Sequence, residues 1–328
     1  MADVSVIIPV FNTDEYLSPC IDSVLTQEGV TVEILLVDDG STDNSGRICD
    51  DYARAYSNIS VFHIANSGQS VAKNLGLRHA HGTYVTFTDS DDRMTPQMLR
   101  KMVSAAERHK ADIVCCGYQQ VDRQGNISHL ESTNRVYVLD HEEALVSLYS
   151  RDKIYSQCWT KLYRRKMLAD FHVENEPVRY DEDLIFNIRA FKVARTTVVV
   201  DLPLYIYTYR EDSVAHGHWR LEKNIDRYIN DRICRIEITR EAVSDESATV
   251  KEWSMVHIIM YYNELLGRVA PFKKYHSDKR IAAVIRFIKK NRAVLNRHYG
   301  KCGFSKTGKL LIVCLPGWLY MKYRQYRA

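Results

Sequence analysis

The sequence predicts an α/β fold, a doubly wound and mostly parallel sheet flanked by helices, followed by a helical, basic C-terminal extension. Three observations predict it. Apolar, β-branched runs alternate with helical patterns four times over about 110 residues. The first run, VSVIIPV at residues 4–10, is continuously apolar, as a strand covered on both faces must be. Polar clusters follow the strands directly, at the end of the sheet where such folds bind ligands.

Taken in order, residues 4–10 form the first strand. Ser18-Pro19 can cap and open a helix whose apolar face is Ile21, Val24 and Leu25. Val32 to Val37 is the second strand, followed by the turn DDGSTD and a helix through Ile48, Tyr52 and Ala55. Ile59 to Ile64 is the third strand, and SGQSVAKNLGLRHA the third helix, with Val71, Leu75 and Leu77 inward. Tyr84 to Thr88 is a strand that stops at the acidic cluster DSDD, after which Thr95-Pro96 opens another helix. Asp112 to Tyr118 is a further strand, with a hairpin around Gln124-Gly125-Asn126 and a helix from Asp140 through Leu145 and Leu148. A second acidic cluster, YDEDLIFNIRAF, precedes a strand Thr196 to Val200 and a tyrosine-rich segment, and beyond Leu221 the pattern is helical.

With 45% hydrophobic and 26% charged positions among 328 residues, the chain is neither a disordered tail nor a collagen-like repeat nor a disulfide mini-protein. The net charge of +4 hides a segregation: Arg268 to Ala328 holds 16 Lys and Arg against one acid, Asp278, while residues 1–267 hold 29 basic and 40 acidic side chains. The basic segment is drawn to phosphates, and its apolar run LLIVCLPGWLYM, Leu310 to Met321, favours an anionic membrane surface over nucleic acid. That run has 12 residues and contains Pro316 and Gly317, whereas a spanning helix needs about 20. It suits a segment lying on a membrane, the alternative being a helix packed on the protein. Met1-Ala2-Asp3 lacks the basic start of a signal peptide, and the eight cysteines show no CxxC spacing. The expected location is therefore the cytoplasm, peripheral to the inner face of the cell membrane.

The dinucleotide fingerprint GxGxxG and the P-loop are both missing. A phosphate-bearing ligand must be held another way, and the acids of DSDD offer one. Asp89, Asp91 and Asp92 follow a buried strand, so their charges repel one another beside low-dielectric walls until a cation or hydrogen-bond donors compensate. Hard oxygen ligands suit Mg2+ or Mn2+ and leave positions open for a diphosphate. The alternative role for Asp92 is to cap the following helix.

VSVIIPVFN, ILLVDDGSTDNS, NSGQSVAKNLGLRHAHGTYVTFTDSDD, KLYRRKM and YDEDLIFN, in that order and spacing, closely resemble glycosyltransferase family 2, whose fold is GT-A. The resemblance covers roughly residues 3–215. It implies a nucleotide-sugar donor, a divalent cofactor (Mn2+ or Mg2+) and an inverting transfer to an acceptor hydroxyl; the expected donor is a UDP-sugar and the expected acceptor a glycan or lipid-linked saccharide. The chain then divides into a GT-A domain over 1–220, with a nucleotide-sugar half at 1–110 and an acceptor half at 111–220, and an extension over 221–328.

Motif by motif, the resemblance places Pro9, Val10 and Phe11 around the base and Asp39 on the uracil or ribose edge. It places Lys73 and Asn74 on the donor, where the family usually has Arg-Asn. Asp89 faces the ribose beside Ser90, and Asp91 takes the metal. In the second cluster Asp183 resembles the aspartate of the family's ED motif and is the expected general base, with Asp181 and Glu182 as competitors. Three consecutive acids cannot all face one site, and acids are favoured in a first helical turn in any case. Trp159, Lys161 and Glu182 fall on the acceptor side, though Trp159 suits a core position equally well. Arg210 and Ser213 resemble an R-x-x-S element near the donor diphosphate, and His216 or His218 is a candidate to complete the metal shell. A non-catalytic nucleotide-binding scaffold at a membrane and a metal-dependent nucleotidyltransferase are the competing functions.

Overall fold

The computed structural model describes residues 2–122, 126–130, 132–175, 181–210 and 218–326. Two units make up the chain, Met1–Leu145 with Asp152–Gly217, and Val146–Arg151 with His218–Ala328.

The first unit opens with β1 (Val4–Val10), α1 (Asp14–Leu25), β2 (Val32–Asp38), α2 (Ser45–Ala55), β3 (Ile59–His63), α3 (Gln69–His79) and β4 (Tyr84–Phe87). It continues with β5 (Arg93–Met94), α4 (Met98–His109), β6 (Ile113–Val121), β7 (Ile127–Leu130), β8 (Val136–Asp140) and the start of α5 (His141–Ser150). β9 (Lys161–Arg164), α6 (Arg165–Asp170), α7 (Glu182–Val193) and β10 (Thr196–Thr208) complete it. The ten strands form one sheet in the order β3-β2-β1-β4-β9-β6-β10-β5, with β7 beside β6 and β8 beside β10.

β3, β2, β1 and β4 run parallel, as their apolar runs predict. Beyond β4 the sheet is mixed. β9 lies antiparallel between β4 and β6, so KLYR, whose four residues carry no strand signal of their own, occupies the middle of the sheet. Residues of β1, α1 and α4 share one core, in which Val4, Ile8, Leu17, Ile21, Val24 and Met102 are fully buried. Each such side chain contributes about 1.5–3 kcal/mol by leaving water.

Three local expectations are corrected. α1 begins at Asp14, so Pro19 lies inside the helix; Asp14 and Glu15 in its first turn complement the positive end of its dipole. α4 begins at Met98, because Thr95 and Pro96 are held in the preceding turn by bonds from Thr95 N to Leu204 O (2.9 Å) and from Glu28 N to Pro96 O (2.9 Å). The inward face of α3 is Ser70, Ala72, Lys73 and Gly76, while Val71, Leu75 and Leu77 are half-buried. Small residues face the sheet because α3 lies close upon β1. A Cβ on Gly76 would come within 2.5 Å of Ile7 Cγ2. Gly76→Ala is therefore expected to destabilise the protein by about 1–3 kcal/mol, measured by urea unfolding, despite alanine's better helix propensity.

The second unit holds the end of α5 and then α8 (His218–Ala242), α9 (Ala248–Val269), α10 (Lys279–Lys290), α11 (Arg292–His298), α12 (Lys306–Cys314) and α13 (Gly317–Gln325). α9 is its central helix, with Ile259, Leu265, Leu266 and Val269 fully buried. Ser247, Asp278 and Ser305 cap α9, α10 and α12 through side-chain oxygens that accept backbone N–H groups. The apolar run Leu310 to Met321 is divided between α12 and α13, with Pro316 at the junction. No helix among the described residues is long and apolar enough to cross a membrane.

Candidate active site

The carboxyl ends of β1, β2 and β4 lie side by side because the strands are parallel and in register, Val10 opposite Asp38 and Ile7 opposite Phe87. Pro9 and Val10 are buried within β1, and Phe11, just beyond it, is 46% exposed. Asn12, in the left-handed region at φ 51°, ties this loop to the next: its N–H donates to Ser41 Oγ and its Oδ1 accepts Thr42 N at 2.8 Å. Thr13 Oγ1 donates to Ser90 Oγ at 2.9 Å, joining the loop after β1 to the loop after β4.

The two aspartates ending β2 are both occupied by local donors. Asp38 accepts Ser41 N at 3.0 Å and meets His63 Nδ1 at 2.8 Å. Burial pushes its carboxyl up, but Ser41 and His63 outweigh that and hold it below its usual range. Asp39, expected on the nucleoside edge, accepts Ser67 N at 2.6 Å and Gly68 N at 2.8 Å, which fastens β2 to the start of α3.

The DSDD segment divides its labour. Asp92 is 1% exposed; it accepts Tyr205 OH at 2.9 Å and Thr208 N at 2.7 Å. It therefore anchors β10 and does not cap α4. Asp89 is half-buried and accepts Gln69 Nε2 at 2.9 Å. Burial, reinforced by Asp183 and Asp91, pushes its carboxyl up to about 7 although Lys73 opposes the shift. Asp91 Oδ2 lies 3.1 Å from Arg210 Nε, and the Arg210 guanidinium stands 4.9 Å from the Tyr16 ring centre. Arg210 thus reaches the strand-end carboxylates.

The second acidic cluster lies at the start of α7 and reaches Lys73 of α3. Asp181 adopts φ 65° and precedes α7, whose first turn carries Glu182 and Asp183. Lys73 Nζ, on a side chain 1% exposed, lies 2.5 Å from Asp183 Oδ1, and Cys158 N donates to Asp183 Oδ2 at 2.9 Å. Burial raises the Asp183 carboxyl, but Lys73 and these hydrogen bonds lower it further, so the net direction is down. Glu182 moves the opposite way, pushed up to about 8 by burial with Asp183 adding to the push. Asn187, one turn along α7, donates to Ser156 O at 2.7 Å and accepts Tyr163 OH at 2.7 Å, which fixes the loop that presents Cys158.

Several expected site residues take other positions. Asn74 pairs with Asn175, accepting its N–H at 2.7 Å and donating to its carbonyl at 2.9 Å. Trp159, expected on the acceptor side, is 6% exposed and stacks on Tyr205 at 4.4 Å, an aromatic core position. Lys161, expected beside it, is fully buried; its ammonium donates to Tyr155 O at 2.7 Å and Gln157 O at 2.5 Å, so it holds its own loop together. Ser213 and His216 lie outside the described residues, as does the side chain of His218. Gln69, Thr13 and Tyr16 belong to the arrangement without having been singled out. Gln69 falls within the SGQS stretch and Thr13 directly after Phe11-Asn12, whereas nothing local marks Tyr16.

Among the described residues no three His, Cys, Asp or Glu side chains form a ready-made metal cage. The donor set nonetheless fits a hard divalent cation that brings its own phosphate and water ligands. Asp89 and Asp91 are two crowded carboxylates; the Asp89 carboxyl is pushed up first by burial, and Asp183 and Asp91 add negative charge of the kind a cation relieves.

Residues 5–171 match the family described as Glycosyl transferase family 2. EpsJ of Bacillus subtilis, described as an uncharacterized glycosyltransferase, is 36% identical over 215 residues, 65% of this chain and 62% of EpsJ. TarS of Staphylococcus aureus, a poly(ribitol-phosphate) beta-N-acetylglucosaminyltransferase, is 27% identical over 216 residues, 64% of this chain and 36% of TarS. The chain thus matches less than two thirds of either protein's length. The crystal structure of TarS 1–349 with UDP superposes with a TM-score of 0.67 at 18% identity, covering 99% of this chain and 92% of that one. The mannosyltransferase PcManGT from Pyrobaculum calidifontis, solved with GDP-Man and Mn2+, gives a TM-score of 0.55 at 15% identity, covering 99% and 87%. Both likenesses establish the GT-A fold.

Proposed function

Since the chain belongs to glycosyltransferase family 2, we propose that it moves a hexose or N-acetylhexosamine from a UDP-sugar to a hydroxyl of a glycan or lipid-linked acceptor, with inversion, in the synthesis of a bacterial surface polysaccharide. The observation that carries this reading is the meeting of Lys73 and Asp183 beside the strand-end aspartates. It sets an ionised carboxylate among the groups suited to a sugar diphosphate.

Phe11 and the backbone after β1 and β2 receive the nucleoside. Arg210 and Gln69 orient the diphosphate near Asp89. Asp91, with Asp89 beside it, would hold Mn2+ or Mg2+, which when bound supplies positive charge to the departing nucleoside diphosphate. Asp183 accepts the proton of the acceptor hydroxyl as that oxygen attacks the anomeric carbon opposite the leaving group. Ionisation at neutral pH, which Lys73 enforces, keeps it ready to do so. UDP is chosen over GDP because TarS was solved with UDP, and a surface-polysaccharide acceptor is supported by the name of TarS, a poly(ribitol-phosphate) beta-N-acetylglucosaminyltransferase.

The test is a panel of UDP- and GDP-sugars with Mn2+ and with a chelator, scored for release of nucleoside diphosphate. A UDP-sugar is expected to be cleaved with metal and spared without it. Release of pyrophosphate would indicate a nucleotidyltransferase, and silence across the panel would overturn the enzymatic reading.

A further inference from the structure

We infer that α12 and α13 form an interfacial membrane-docking surface for anionic phospholipid. Four of the ten large apolar side chains that stand exposed among the described residues fall within 17 positions: Leu310 at 60%, Trp318 at 53%, Leu319 at 36% and Tyr326 at 92%. The packing needs of these helices are met by other residues. Ile312, Tyr320 and Met321 are fully buried, Arg324 Nη1 bonds Asn263 Oδ1 at 2.7 Å, and Lys289 Nζ bonds Leu315 O at 2.6 Å. The outward apolar groups are therefore surplus to the fold, and a surface of this kind marks an interaction site.

Charge selects the occupant. No Asp or Glu occurs from Lys279 to the end of the chain, and Lys306 and Lys322 are exposed on the same two helices as the apolar groups. Lys322 Nζ stands 5.2 Å from the Trp318 ring centre, an aromatic and a cation together at one level, as at a headgroup boundary. Nine-residue helices interrupted at Pro316 are too short to cross a bilayer, so the segment lies along it. A second copy of the chain is disfavoured because two faces of the same positive charge repel, and nucleic acid gives bulky apolar groups little to bury against.

The test is flotation of the full chain with vesicles of phosphatidylcholine alone and of phosphatidylcholine with about one quarter phosphatidylglycerol. Uptake is expected on the anionic vesicles, at least about tenfold above the neutral ones, and to fall as salt is raised. Leu310→Glu combined with Trp318→Glu is expected to lower uptake about tenfold or more while the melting temperature and donor cleavage in solution stay as in the parent. Lys306→Gln with Lys322→Gln is expected to erase much of the preference for phosphatidylglycerol. Equal uptake on both vesicles, or unchanged uptake by the first variant, would overturn the inference. So would a dimer in solution that this variant dissolves without any vesicle binding. Donor cleavage is scored separately, so failure here is distinguishable from failure of the proposed activity.

Discussion

Asp183→Asn is expected to lower sugar transfer by about 10³-fold while leaving donor affinity within about twofold. The carboxamide keeps the shape of the side chain, and its oxygen can still accept Cys158 N–H. It cannot take a proton from an acceptor hydroxyl, and the donor-side contacts proposed for Phe11, Gln69 and Arg210 arise on other elements. The companion substitution Glu182→Gln makes the assignment specific. Burial pushes the Glu182 carboxyl up to about 8, so at pH 7 it is mostly protonated and glutamine resembles its resting state. Its loss is expected to stay within about tenfold. Steady-state kinetics with isothermal titration of UDP decides the matter: if the Glu182 variant is dead and the Asp183 variant turns over, the base has been misassigned.

Lys73→Met removes the cation that holds Asp183 ionised. Lys73 is 1% exposed against 20% for the Asp183 side chain, so the pair is substantially shielded from water and its loss is expected to cost about 3 kcal/mol. The cost falls at the low end because Asp183 keeps its Cys158 hydrogen bond and some access to water. The pH dependence has a definite sign. A carboxylate lowered in the folded state stabilises the fold above its ordinary range, and that contribution disappears as pH falls through the depressed value. In the methionine variant the part of the lowering due to Lys73 is removed and only that due to the Cys158 hydrogen bonds remains, so stability depends less on pH in acid. For the same reason the acidic limb of the kcat/KM profile moves to higher pH. A limb that stays in place would show that Lys73 does not set the protonation of the proposed base.

Much of the arrangement is written locally. β1, and β2 from Ile34 onward, were legible because a strand buried on both faces is nearly continuously apolar, and that pattern needs no knowledge of its neighbours. The acids at the ends of β2 and β4 were legible because chain order places them there. β9 was not, since four residues in a sheet centre owe their strand conformation to the β4 and β6 partners on either side. The surroundings of Trp159 and Lys161 were not legible for a related reason. An aromatic and a lysine in a polar loop look like binding groups, yet the ring found Tyr205 and the ammonium found carbonyls of its own loop.

By itself the sequence determined the alternation of strands and helices, the family and the gathering of carboxylates at one end of the sheet, along with the basic segment at the other end of the chain. Each of these is a property of residues close together along the chain. The tertiary structure alone decided which acid meets which base. Lys73 and Asp183 are 110 positions apart, and they touch because Gly76 lets α3 lie close on β1 while the inserted β9 carries the loop that presents Cys158 to α7. Such a contact follows from strand order and register, which are set by the packing energy of the whole sheet and leave no mark in either local segment.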